Sequence, residues 1–166
     1  RYRININRFL NDVAVDDDEN IYVTVSDTNI IFRISNGRVE KWLEGSEFHK
    51  SNAILADNDR IIIGVCSDNT VRAVSLKDRK VTEMVKMHSG SGVIDGLQKR
   101  GEGFLLSHYE GIVWHLRKDG SMEKILDTSE DGVSCADFAW VADQGLLITP
   151  TLKNNHVAIY KYRARD

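Results

Sequence analysis

FLNDVAVDDDENIYVTVSDTNIIFRISNGRVEKWLE, residues 9–44, holds four short apolar runs separated by turn-forming residues. The runs VAVD, IYVTVSD, NIIFRIS and RVEKWLE are rich in β-branched and aromatic residues and lack helical spacing, so each reads as a strand. Asn36-Gly37 between the last two is hairpin chemistry, because both positions of a tight primed turn require positive φ. One such sheet cannot bury its faces alone, so the decisive question is whether the unit recurs.

It does. Aligning Asn11, Asn52, Asp95 and Asp137 gives intervals of 41, 43 and 42 residues. Behind each anchor comes a first strand (VAVD, AILAD, GLQKR, FAWVA), a turn (DDEN, NDR, GEG, DQG) and a stronger second strand (IYVTVSD, IIIGVCSD, FLLSHYE, LLITPT). A third strand follows (NIIFRIS, TVRAVSL, GIVWHLR, HVAIYKY), and the first three copies add a fourth (RVEKWLE, KVTEMVK, SMEKILD) through turns at Asn36-Gly37, Asp78-Arg79 and Asp119-Gly120. A period near 42 built only of strands predicts an all-β fold, a β-propeller with four blades in one domain over residues 1–166. The fourth copy stops after its third strand at Tyr162, and RYRINI at residues 1–6 reads as an orphan strand. That strand either closes the last blade or belongs to a missing one, since ring closure removes an exposed sheet edge. Self-association is expected if the four-blade chain is complete.

Composition bounds the function classes. The chain has 166 residues, 42% hydrophobic and 28% charged, with a net charge of −3 and no basic cluster, which excludes a nucleic-acid footprint. No apolar run approaches the roughly 20 residues that span a bilayer. A soluble protein is expected, and the compartment stays open between cytoplasmic and secreted after signal removal. Cys66 and Cys135 lie on separate repeats without metal-ligand spacing and read as small buried hydrophobes.

In a propeller the first strand of each blade lines the central channel, so Asn11, Asn52, Asp95 and Asp137 are expected to point to one axis. Two carboxylates and two amide oxygens suit a hard cation such as Ca²⁺, which takes mixed oxygen ligands, and an uncharged Asn11 would avoid overloading the site with negative charge. The same residues are also favoured in turns because they cap their own backbone, and spacing leaves the two readings side by side.

Several other signals read as structure. The acidic run Asp16 to Glu19 lacks the spacing of a calcium loop and reads as a solvated hairpin turn. GSGVID, Gly90 to Asp95, is followed by no helix and reads as an inter-blade loop rather than a phosphate cradle. The five histidines, His49, His88, His108, His115 and His156, share no repeat position; His108 alone, at the end of a second strand, is kept as a candidate for a substrate contact. Trp42, Trp114 and Trp140 read as packing between sheets.

The stretches FLNDVAVD-DDENIYVTVSDTNIIFRI, KSNAILADNDRIIIG, VIDGLQKRGEGFLLSHYEGIVWHL and CADFAWVADQGLLITPTLKNNHVAIYKY resemble successive blades of the gluconolactonase, regucalcin and luciferin-regenerating-enzyme family. The resemblance implies a six-bladed ring of which this chain is about the C-terminal two thirds. It implies a divalent cation, Ca²⁺ first and Zn²⁺ or Mn²⁺ as alternatives, at the channel mouth. Asn52 and Asp95 match its metal ligands and Asn11 its substrate-side Asn, and Asp95 is expected to serve also as the catalytic proton acceptor, since a carboxylate within reach of metal-bound water can act as a general base. The substrate class implied is a small polar lactone, hydrolysed as a carboxylic ester. The family's further Glu ligand lies on a blade outside this sequence, and Ser51 and Ala53 stand where the family carries Pro and Gly. The alternative is a non-enzymatic propeller scaffold for protein or ligand binding.

Overall fold

A computed structural model describes residues 1–87 and 93–163. The chain divides into two compact units, Arg1–His88 and Ser89–Asp166, each built of two antiparallel sheets.

In the first unit β1 (Leu10–Val15), β2 (Ile21–Val25), β3 (Ile30–Ser35) and β4 (Arg38–Glu44) form one meander, and β5 (Ser51–Asp57), β6 (Arg60–Val65), β7 (Thr70–Ser75) and β8 (Val81–Lys86) form the next. Strand alternation sends Tyr22, Ile31 and Trp42 from the first sheet into a shared core with Ile54, Ile61, Ile63 and Val65 of the second, capped by Phe48. Tyr22 meets Trp42 edge to face at 4.7 Å between centroids, and each such buried side chain contributes about 1.5–3 kcal/mol. The inner strands β1 and β5 run side by side. The Asn36-Gly37 hairpin forms as expected, with φ of 48° and 77°.

In the second unit β9 (Ile94–Arg100), β10 (Gly103–His108), β11 (Ile112–Leu116) and β12 (Met122–Asp127) make a four-stranded sheet, followed by β13 (Ala139–Val141), β14 (Leu146–Thr151) and β15 (His156–Lys161) in a three-stranded one. Its core joins Leu105 and Val113 to Cys135, Phe138 and Leu147, with Trp140 and Tyr160 packed at the edge. β13 is short for a covalent reason. Continuing the register puts Pro150 opposite Asp137, and a proline has no N–H to lend to the ladder.

Three expectations need correction. Residues 1–6 form no strand: alternation in RYRINI is only a pattern, and among the described residues no sheet edge pairs with it. The acidic turn is not wholly solvated. Asp16 is 8% exposed, and its carboxylate accepts hydrogen bonds from the Asp18 and Asn20 N–H groups (3.0 and 2.8 Å), the Asn20 amide and the Tyr22 hydroxyl (2.9 Å). Trp42 is buried as expected, whereas Trp114 and Trp140 are half-buried. His88 and the first part of the Gly90 to Asp95 loop lie outside the described residues.

Candidate functional site

Asn11, Asn52 and Asp95 do not precede their first strands but lie inside them and share an irregularity, whereas Asp137 stands two residues before β13. In β1 the pairing steps from Leu10 opposite Val25 to Val13 opposite Val23, so Asn11 and Asp12 face the single residue Thr24. In β5 it steps from Ser51–Val65 to Ile54–Ile63, so Asn52 and Ala53 face Gly64. In β9 it steps from Ile94–His108 to Gly96–Ser107, which leaves Asp95 as the extra residue. Each is a β-bulge, a device that bends a strand and re-aims a side chain.

A hydroxyl clamps each sheet to the next within its unit. The Asp12 N–H donates to Thr24 Oγ1 (3.0 Å), and Thr24 Oγ1 donates to the Asn52 carbonyl (2.7 Å). In the second unit the Gly96 N–H donates to Ser107 Oγ (2.8 Å), which donates to the Ala136 carbonyl (2.6 Å). This correspondence fixes the register of the last repeat. Ala136, not Asp137, takes the place of Asn52, and Asp137 falls one residue later.

Asp137 there does another task. In the first unit the Asp12 carboxylate accepts the N–H groups of Val13 (2.7 Å) and Ile54 (2.9 Å), binding β1 to β5. Gly96 occupies the place of Asp12 in β9 and has no side chain, and the Phe138 N–H is bound instead by Asp137 Oδ1 at 2.8 Å. A Cβ on Gly96 would stand 2.9 Å from that oxygen and 2.8 Å from the Phe138 ring, so the glycine makes room for the substitute.

The candidate residues therefore differ in setting. Asn11 is exposed, with Nδ2 donating to Ser26 Oγ at 2.6 Å, while Asn52 is 8% exposed. Asp95 is half-buried and Asp137 exposed. Both carboxylates lie near enough to Cys135 to act on its thiol, which is pushed up to about 11, first by burial and then by their charge, against a hydrogen bond from Thr149 Oγ1 at 3.2 Å. His108 closes β10 opposite Ile94 and is 1% exposed. Burial lowers its pKa more than the Glu110 charge raises it, so the imidazole is neutral at physiological pH. Cys66 is half-buried and Cys135 buried, and neither is in a disulfide.

Among the described residues no three His, Cys, Asp or Glu side chains gather closely enough to hold a metal ion. The oxygen donors fit a hard cation in kind. In number they fall short, so an ion at Asp95 would have to complete its shell from amide oxygens, backbone carbonyls and water.

No family model matches the chain, and no curated protein matches it. Solved structures do. A selenomethionine-substituted virginiamycin B lyase from Staphylococcus aureus is similar at a TM-score of 0.73 and 10% identity, covering 98% of this chain and 59% of that one. A streptogramin B lyase is similar at 0.71 and 14%, covering 96% and 57%. The fold is a β-propeller. Among the described residues its sheets are four blades, three of four strands and one of three. The chain spans somewhat over half the length of those lyases, whereas the computationally designed Ika4 protein, at a TM-score of 0.66 and 10% identity, is matched over 94% of this chain and 92% of its own.

Sequence reasoning missed Thr24, Ser107, Asp12 and Gly96. A signal for the first two was present, because IYVT and FLLS each carry a hydroxyl at the fourth place of the second strand.

Proposed function

We propose that this propeller is a lactonase-type hydrolase whose Asp95 holds a divalent cation, Ca²⁺ before Mn²⁺ or Zn²⁺, beside a small polar lactone. The observation that carries the reading is the bulge at Asp95, which singles out one half-buried carboxylate on an inner strand, with the same irregularity at Asn11 and Asn52. A bound cation would polarise the lactone carbonyl and make a water more acidic. Asp95 accepts the proton of that water as its oxygen bonds to the carbonyl carbon; the ring C–O bond breaks and the leaving oxygen takes a proton, giving the hydroxy acid. Asn52 as a further cation ligand and Asn11 on the substrate side are the roles that the family resemblance gives them.

Calorimetric titration with Ca²⁺, Mn²⁺ and Zn²⁺, paired with a lactone-hydrolysis assay, tests this on wild type, Asp95→Ala, Asn52→Ala and Asn11→Ala. A tenfold or larger loss of cation affinity in Asp95→Ala is expected, with a loss of rate rather than of cation affinity in Asn11→Ala. Unchanged affinity in Asp95→Ala removes the cation from this residue.

A second reading, a non-enzymatic platform, draws on the last blade. Val157 is 62% exposed on β15, whereas Ile31, Val71 and Val113 at the matching place of the other blades are fully buried, and Ile159 is 63% exposed beside it. The occupant that this reading proposes is a second copy of the chain. Native mass spectrometry would then find dimers that Val157→Lys dissociates; monomers throughout would refute it.

A further inference from the structure

The third blade carries a cationic cleft at the hairpin ends of β9–β10 and β11–β12. Its volume is about 330 Å³, and Arg100, Glu102, His115, Arg117 and Lys118 line it with two glycines, Gly101 and Gly103. Arg100 ends β9, and Asp95 lies five residues earlier on the same strand, about 16 Å away at the usual strand rise. The cleft is thus separate from the residues invoked above and independent of that reading.

The charges here are unevenly matched. Arg117 is paired with Glu123 at 2.5 Å and Lys118 with Glu102 at 2.7 Å. Arg100 has no carboxylate among the described residues. Its guanidinium stacks on Tyr162, 4.0 Å from the ring centroid, and on Trp140 at 5.4 Å, while Nη1 is buried without a hydrogen-bond partner. A buried guanidinium N–H left unpaired loses its hydration with no return, which is why native proteins seldom leave one so. Stacking on two aromatic rings fixes the plane of the fork, and with it the plane of the unmet Nη1 donors. Arg100 and Arg117 both lie near enough to His115 for their charges to act on it. Burial, then those two charges, lowers its pKa, with Glu123 opposing, so the imidazole stays neutral beside two cations.

We propose that this cleft binds a phosphate-type oxyanion, with Arg100 Nη1 as the buried donor and Arg117 and His115 as flanking groups. The preference for a phosphate over a monoanion follows from the charge to be met: Arg117 and Lys118 are matched by Glu123 and Glu102, and the unmatched Arg100 guanidinium is joined by an imidazole that gains a proton when a dianion sits beside it. The ligand class is a small phosphorylated molecule or free phosphate, since both present the same group.

The test follows the His115 ring by NMR in the full chain, titrated with inorganic phosphate and, in parallel, with chloride at equal ionic strength. The expected result is an upward shift of the His115 titration with phosphate alone, a tenfold or larger loss of phosphate affinity in Arg100→Gln, a smaller loss in Arg117→Gln, and no change in Lys124→Gln. A sugar phosphate binding more tightly than inorganic phosphate assigns the source to a metabolite; equal affinity assigns it to the free ion. Should Arg100→Gln fail to fold, the loss in Arg117→Gln carries the test. No phosphate response of His115 in wild type, or an equal response to chloride, overturns the proposal.

Discussion

Replacing Thr24 by Val tests the clamp between the first two blades. The two side chains have nearly the same shape, so the change removes the hydroxyl and little else. Thr24 is fully buried, and its Oγ1 serves the Asp12 N–H at 3.0 Å and the Asn52 carbonyl at 2.7 Å. Valine leaves both backbone groups without that partner at a place that water does not reach. An orphaned buried group costs about 1–3 kcal/mol, and the better of the two bonds is the one to Asn52, so the expected loss is about 2–4 kcal/mol. For a chain of this length that lowers the melting temperature by about 5–15 °C. Urea unfolding is the assay, with the midpoint falling and the slope unchanged. The change should also weaken cation or ligand binding that uses Asn52, because the clamp positions its bulge. A loss under about 0.5 kcal/mol, within the range of neutral surface changes, would refute the clamp.

Gly96→Ala should destabilise by about 1–3 kcal/mol, since its Cβ would meet the Phe138 ring and Ser107 Oγ at 2.8 Å; denaturant titration reads it, and a neutral result denies the close approach. Asp16 titrates below the usual carboxylate value: burial raises it, but the bonds from Asn20, Tyr22 and Asp18 outweigh that. Its folded pKa is therefore depressed, so its contribution is complete above the unfolded value of 3.8 and is lost as pH falls through the folded one. Stability of Asp16→Asn should be lower at neutral pH and flatter across that acidic window, and parallel wild-type and mutant pH curves would contradict this. Alkylation at mildly alkaline pH, read by peptide mass spectrometry, should label half-buried Cys66 well before Cys135, whose thiol is pushed up to about 11; equal labelling would place Cys135 at the surface.

The repeat made the architecture readable, because strand composition and hairpin residues such as Asn36-Gly37 are local, and a period of about 42 residues then leaves few folds. What stayed hidden depends on partners distant in the chain. A bulge is a count of two residues against one across a ladder, so the sequence around Asn11 could not reveal it, and the anchor was expected before the strand rather than within it. Aligning Asp137 with Asn52 followed residue type, and the hydroxyl clamp shifts it by one, a change that moves a side chain to the other face of a strand. RYRINI has a strand's composition but no ladder. Arg100 carries no signal in the sequence, because its ring partners Tyr162 and Trp140 come from the last repeat, 40 and more residues away.

The most direct measurement on the central claim is a crystal grown with Mn²⁺ and examined for anomalous scattering. A peak is expected within about 2.0–2.6 Å of an Asp95 carboxylate oxygen, absent from crystals of Asp95→Ala. No peak beside Asp95, or one that persists after the substitution, would contradict it.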